Sequence, residues 1–236
     1  STSNTAVGKS ALTATTTGNS LTAVGQGALA SNTTASDNTA VGRSALNSNT
    51  TGSQNTAVGR SALGANTTAS NNTAVGYGAL DANTTGAQNT AIGKDALGAN
   101  TTAANNTAVG YHALLSTTIG DFNTAVGYLS MDAVTTGYLN TALGTNTLST
   151  ASAADYNVAI GSNALAAATT SDFNTAVGAD ALEATTVGHS NTALGFRVLE
   201  ALTTGDENIG VGYLAGDAIT TGNRNIIVGS GSDTSA

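Results

Sequence analysis

The chain is expected to fold as an all-β protein, a parallel β-solenoid (β-roll) of about thirteen 17-residue coils. Three observations predict this. A segment such as residues 72–88, NTAVGYGALDANTTGAQ, returns at a fixed 17-residue period without insertion or deletion, giving thirteen full copies over 4–224 and a truncated fourteenth from Asn225. An unbroken short period of this kind marks stacked repeats, each too small to bury a core alone. Each copy carries a Thr-Ala-Val triplet or a close variant, which suits a short strand, and a Gly directly after it, which suits a corner. The repeats form one expected domain over 4–229, with 1–3 and 230–236 as terminal extensions.

Counting Asn4 as position one, the repeat can be taken in order. Position one is Asn4, Asn38, Asn55, Asn72, Asn89, Asn106, Asn123, Asn140, Asn157, Asn174, Asn191, Asn208 and Asn225, with Leu21 as the exception. Identical amides at a fixed period predict a ladder bonded from copy to copy. At positions two to four, Thr and Val share one strand face and Ala takes the other. Val is expected inside, leaving Ala outside for close approach by another subunit.

Position five is Gly in every copy: Gly8, Gly25, Gly42, Gly59, Gly76, Gly93, Gly110, Gly127, Gly144, Gly161, Gly178, Gly195, Gly212 and Gly229. Positive φ or tight backbone approach explains such a residue. Position six holds Lys9, Arg43, Arg60 and Lys94 early, and Tyr77, Tyr111, Tyr128, Phe196 and Tyr213 elsewhere. These five rings are the candidate binding residues, because exposed aromatics can stack on sugar rings.

Positions eight and nine read Ala-Leu, and Leu is expected to fill each coil; Met131, Gly216 and Asp233 depart from it. A helix is excluded by length, since Gly and Thr clusters recur before three turns can form. Thr-Thr at thirteen and fourteen reads as a second short strand or a turn, so a coil should hold two or three short strands. Stacked at about 4.7–4.8 Å, thirteen coils would make a rod on the order of 62 Å long. Asp121, Asp155, Asp172 and Asp206 share position sixteen and form an intermittent acidic stripe, expected to be a solvated edge.

Composition bounds the function. Only 8% of residues are charged and 4% aromatic, and Pro, Cys and Trp are absent. Without Cys there is no disulfide framework and no thiolate metal site. The net charge of −8 argues against nucleic acid as a partner, because that needs a basic face. The charge is uneven: residues 1–118 carry four basic and three acidic side chains, and 119–236 carry two basic and eleven acidic. No apolar run approaches the ~20 residues of a membrane span, so no membrane insertion by this segment is expected. With only about four apolar side chains buried per coil, self-association into a homo-oligomer is expected, and uncapped ends predict a segment of a longer fibre.

Enzyme chemistry is not expected. Gly8-Lys9-Ser10 resembles the end of a phosphate loop, but Ser3 stands where the first Gly belongs. His112 and His189 sit at positions seven and sixteen, several coils apart, with no nucleophile elbow to support a triad. No cofactor and no metal is expected. Asn32-Thr33-Thr34 matches a glycosylation sequon, which matters only in a eukaryotic secretory pathway.

The run Asn-Thr-Ala-Val-Gly-x-x-Ala-Leu followed by Asn-Thr-Thr-Gly resembles the head repeats of YadA-type trimeric autotransporter adhesins. It is still more similar to repeats in bacteriophage tail fibres that precede a self-cleaving chaperone domain. The resemblance covers residues 4–229. It implies a left-handed β-roll, a homotrimer around one axis, and an extracellular place on a cell surface or virion fibre. A host-surface glycan or protein would be the partner. The function expected is therefore a structural and adhesive fibre segment acting by rigid multivalent attachment. The alternatives are an ice-binding solenoid using Thr ladders and a self-assembling filament or sheath protein.

Overall fold

The computed structural model describes residues 3–231; residues 1, 2 and 232–236 lie outside the described residues, and with them Asp233 and most of both terminal extensions. The chain divides into two compact units, Ser1–Ile119 and Gly120–Ala236. Both are built as parallel β-solenoids from the 17-residue coil.

In the first unit the strands are β1 (Thr5–Val7), β2 (Thr22–Val24), β3 (Thr39–Val41), β4 (Thr56–Val58), β5 (Thr73–Val75), β6 (Thr90–Ile92) and β7 (Thr107–Val109). Each pairs in parallel with the next, Thr on Thr and Ala on Ala. In the second unit β8 (Thr124–Val126), β9 (Thr141–Leu143), β10 (Val158–Ile160), β11 (Thr175–Val177), β12 (Thr192–Leu194), β13 (Ile209–Val211) and β14 (Ile226–Val228) pair the same way. The unvarying repeat length keeps each position opposite its own equivalent.

A coil holds one three-residue strand, not two or three, and Thr-Thr at positions thirteen and fourteen lies in a bend. Coil-to-coil hydrogen bonding nevertheless continues around the turn. In the coil from Leu21, the amides of Thr22, Leu29, Ser31 and Thr33 donate forward to the carbonyls of Asn38, Ala45, Asn47 and Thr50 at 3.0–3.1 Å. Gly42 and Ser44 donate back to Val24 and Gln26 at 2.7 and 2.9 Å. Neighbouring coils thus satisfy backbone groups that regular strands would otherwise pair.

The tight path depends on left-handed residues at positions seven, nine and seventeen, as at Ser44 (φ 59°), Leu46 (φ 49°) and Gln54 (φ 60°). For Leu this backbone costs about 1–2 kcal/mol. Full burial of the same side chain returns about 1.5–3 kcal/mol, so the burial wins. Leu29, Leu46, Leu63, Leu80, Leu97 and Leu114 are all fully buried, as are Leu148, Leu165, Leu182 and Leu199. At position five the φ of Gly8 is 130°, and a Cβ there would lie 2.6 Å from the Gly25 carbonyl oxygen. Close approach of successive coils and positive φ both require Gly at this corner.

The strand faces are the reverse of the sequence expectation. Ala at position three is the inner residue: Ala40, Ala74, Ala108, Ala142 and Ala176 are fully buried. Val at position four points outward, with Val41 36%, Ile92 41% and Leu194 49% exposed. The reason is space. A single 17-residue coil already holds the position-nine Leu, the position-eight and position-twelve side chains and the position-one Asn. Opposite them only a methyl fits. Where Val198 replaces the usual Ala at position eight, Gly210 replaces the usual Ala at position three of the next coil. A Cβ on Gly210 would run into Val198 Cγ1 and lie 3.1 Å from Leu199 Cγ.

Candidate functional site

The surface available for recognition is the set of outward columns, each one repeat position multiplied along a unit. Behind them lie ladders that hold the columns in place. Position-one Asn side chains are buried: Asn55 accepts the Asn72 amide through Oδ1 at 3.0 Å and donates Nδ2 to the Ala69 carbonyl at 2.8 Å. The same pattern repeats at Asn157, Asn174 and Asn191.

A second Asn ladder, missed in the sequence, runs through position twelve of the first unit. Nδ2 of Asn49, Asn66, Asn83 and Asn100 donates to Oδ1 of the preceding Asn at 3.1, 2.8, 3.0 and 2.8 Å. Its signal was five successive Asn residues from Asn32 to Asn100, of which only the sequon was read. Position thirteen also closes on the backbone: the hydroxyls of Thr33, Thr50, Thr67 and Thr84 donate to the carbonyl one coil on at 3.0–3.1 Å. Position-fourteen Thr residues, such as Thr34 and Thr51, are exposed.

The five rings proposed at position six are exposed, but most are engaged by the chain itself. The Arg60 guanidinium lies 5.5 Å from the centroid of Tyr77, and the Lys94 ammonium 5.1 Å from that of Tyr111. Tyr111 also stacks on His112 at 3.8 Å. Phe196 stacks on Tyr213 at 5.6 Å, with Arg197 5.9 Å from the Phe196 ring. Tyr128 is exposed. Within the first unit the residue between Tyr77 and Tyr111 at this position is Lys94, so no continuous aromatic column forms there.

A contiguous apolar column stands instead at position seventeen of the second unit, one of the variable repeat positions (six, seven, ten, sixteen and seventeen) where the sequence directs the search for recognition, though it singles out no residue at seventeen. Phe122, Leu139, Tyr156 and Phe173 occupy successive coils, all exposed, with Phe173 58% open. Tyr156 stacks on Phe173 at 5.0 Å and 12°, and Tyr138 at position sixteen meets Tyr156 edge-on at 5.2 Å. Four successive large side chains at one repeat position were the overlooked signal.

Position sixteen is more than a solvated edge. Its side chains accept the backbone N–H of the coil before. Asp155 takes the Tyr138 amide at 2.9 Å, Asp172 takes Asp155 at 2.8 Å, His189 Nδ1 takes Asp172 at 2.9 Å, and Asp206 takes His189 at 2.8 Å. Ser36, Ser53 and Ser70 do the same in the first unit. Burial pushes the Asp155 carboxyl up, the Tyr138 amide opposes this, and the Asp172 charge adds to it. The Tyr138 phenol is pushed up first by its hydrogen bond with Tyr156, then by the Tyr156 charge.

One mixed charge cluster sits elsewhere on the first unit. Asp95 lies 3.1 Å from Lys94 Nζ and 3.4 Å from His112 Nε2. Burial, then the Asp95 charge, pushes the Asp81 carboxyl up. Among the described residues no group of three or more His, Cys, Asp or Glu side chains is arranged to hold a metal ion. No helix among them is long and apolar enough to cross a membrane.

Comparisons with known proteins return no match: no protein-family model, no curated protein and no solved structure is similar to this chain. The chain is therefore placed by its architecture alone, as a parallel β-solenoid whose repeated coil makes a rigid scaffold for side-chain columns.

Proposed function

We propose that the chain is a non-catalytic structural and adhesive fibre segment, outside the cell on a bacterial surface or virion, that attaches through many weak contacts. The observation carrying this reading is the apolar column Phe122, Leu139, Tyr156 and Phe173, three of whose four side chains are rings. Its side chains are exposed, contiguous and held on a hydrogen-bonded scaffold. Rigid placement lowers the ordering cost of binding, and repetition multiplies it. A host-surface glycan fits the chemistry: apolar sugar faces meet the rings, while the Asp155 and Asp172 carboxylates beside them accept hydrogen bonds from sugar hydroxyls.

The test is a glycan array probed with the full chain and with Tyr156→Ala/Phe173→Ala. Retained binding by the parent and loss of at least about tenfold in the variant is expected. An array silent for the parent defeats the glycan reading. The homotrimer becomes part of this proposal with its contact face changed. The outward Thr–Val face, not Ala, is the apolar surface open to a neighbouring subunit, and sedimentation equilibrium at high salt reads its mass.

The Thr–Val face also favours a second reading. Thr73 and Val75, with their equivalents on each strand, present an outward hydroxyl column beside an outward methyl column at strand spacing. Such an array can order water, as an ice-binding face must. Thermal hysteresis that Thr73→Lys abolishes supports it; ice growing unshaped in the parent dismisses it.

A further inference from the structure

Two charged columns on different units share one spacing. At position six of the first unit stand Lys9, Arg43, Arg60 and Lys94, in the first, third, fourth and sixth coils. At position sixteen of the second unit stand Asp121, Asp155, Asp172 and Asp206, in the seventh, ninth, tenth and twelfth. Each column thus steps by two coils, one coil and two coils, or about 10, 5 and 10 Å along its unit. The four basic side chains are exposed, with Lys94 also 3.1 Å from Asp95 and Arg60 5.5 Å from the Tyr77 ring on their own unit, and the four carboxylates are half-buried. Three of the carboxylates are held in place, because Asp155, Asp172 and Asp206 each accept a backbone amide of the preceding coil through Oδ1. No Lys or Arg lies between Asp95 and Phe196, and among the described residues His189 Nδ1 lies 3.9 Å from Asp172.

We propose that these columns are the two halves of one interface. The acidic column of the second unit receives the basic column of the first unit of another copy of this chain. Each cation then meets a carboxylate in register. The two-one-two spacing reads the same in both directions, so parallel and antiparallel approach both satisfy it. The two halves differ, so every copy offers one of each and the contact propagates from copy to copy. Single exposed ion pairs are weak, but four on matched rigid lattices set register and speed encounter. The contact shares Asp155 and Asp172 with the proposed glycan face, but its readout is distinct: a chain that binds glycans without growing keeps the glycan and trimer readings and loses this one.

Sedimentation velocity of the full chain tests the inference at about 0.01 M and about 1 M salt, where charges are screened over about 30 Å and 3 Å. At low salt the sedimenting mass should grow with protein concentration, and at high salt it should return to one base species. Arg43→Glu/Arg60→Glu should lose this growth, weakening association at least about tenfold. Asp155→Asn/Asp172→Asn should lose it too, while the Asn oxygens still accept the Tyr138 and Asp155 amides, so unchanged melting confirms that the fold survives. Mixing the two variants is the decisive step. One keeps an intact acidic column and the other an intact basic column, so together they should form a one-to-one complex of base species and stop. Growth that ignores salt, growth that persists in either variant, or a mixture that forms no complex would each overturn the inference.

Discussion

The two units share a backbone and differ in what fills it. Position twelve of the first unit is a buried amide ladder, Asn32 to Asn100, while the same position in the second unit holds Val134, Ala151, Ala168, Thr185 and Leu202, all fully buried. Position sixteen changes from the Ser36, Ser53 and Ser70 hydroxyls to mainly Asp and His acceptors, and position seventeen from polar residues to the apolar run Phe122, Leu139, Tyr156 and Phe173 before turning polar again at Ser190. The backbone accepts either filling because each solves one local problem. An amide column is stable when each Asn finds another Asn above and below it; an apolar column is stable without partners. A lone amide among methyls is the costly case, because its polar atoms lose their side-chain partners. An apolar residue in an amide column is tolerated where the backbone takes over, as at buried Leu21, whose amide donates to Asn4 Oδ1 at 3.0 Å.

The largest effect expected is common to both units. Gly76→Ala and Gly178→Ala each put a methyl onto the carbonyl of the next coil's Gly at φ near 139° and 135°. Each should cost about 3 kcal/mol or more, read as a drop in urea midpoint, since backbone on both sides blocks relaxation. Equal losses in the two units would show that the corner is indifferent to filling.

Next come Leu80→Ala and Leu165→Ala, each emptying a fully buried site, at about 2–5 kcal/mol. A smaller loss in the second unit would mean that its apolar position twelve collapses into the cavity more readily than an amide ladder can.

The comparison is sharpest at position twelve itself. Asn66→Ala strands Asn49 Oδ1 and takes one acceptor from Asn83, at an expected cost of about 2 kcal/mol. Replacing Asn32, Asn49, Asn66, Asn83 and Asn100 together by Val should cost less per site than the single change. If the fivefold variant instead loses five times the single penalty, the ladder is stabilising in its own right and the view above is broken.

Acidity gives the smallest effect. Burial chiefly holds the Asp155 and Glu183 carboxyls of the second unit and Asp81 of the first above the ordinary carboxylate range. Such groups bind protons more tightly folded than unfolded. Their contribution to stability is therefore complete below the unfolded range near pH 4 and is lost as pH rises through the raised values. Hydrogen exchange read unit by unit should show both units gaining slight protection from neutral pH to about pH 4.5, the second more than the first.

Much of the coil could be read before the structure. The period, the position-one Asn, the corner Gly and the core Leu follow from side-chain chemistry at a fixed spacing. The inner face of the strand could not be read, because Thr-Ala-Val supports either orientation. Hydrophobicity alone favours burying Val; the cross-section of a single 17-residue coil decides for Ala. The left-handed Leu46 and its equivalents were also invisible, since Leu rarely adopts that backbone and does so here only because burial outweighs it. The position-sixteen acceptors escaped because Ser, Asp, His and Asn look unrelated until they are seen to share one role. The apolar column at position seventeen was legible but passed over in favour of position six, where scattered rings caught the eye.

One link in the position-sixteen ladder has a consequence for proton chemistry. His189 accepts the Asp172 amide through Nδ1, so that nitrogen must be bare and the ring proton must sit on Nε2. The serines and aspartates that fill this place in other coils can accept such a bond as they stand. The imidazole can do so only as one tautomer of its uncharged form. The ladder thus selects one tautomer at that coil, a choice the serines and aspartates of the column never face.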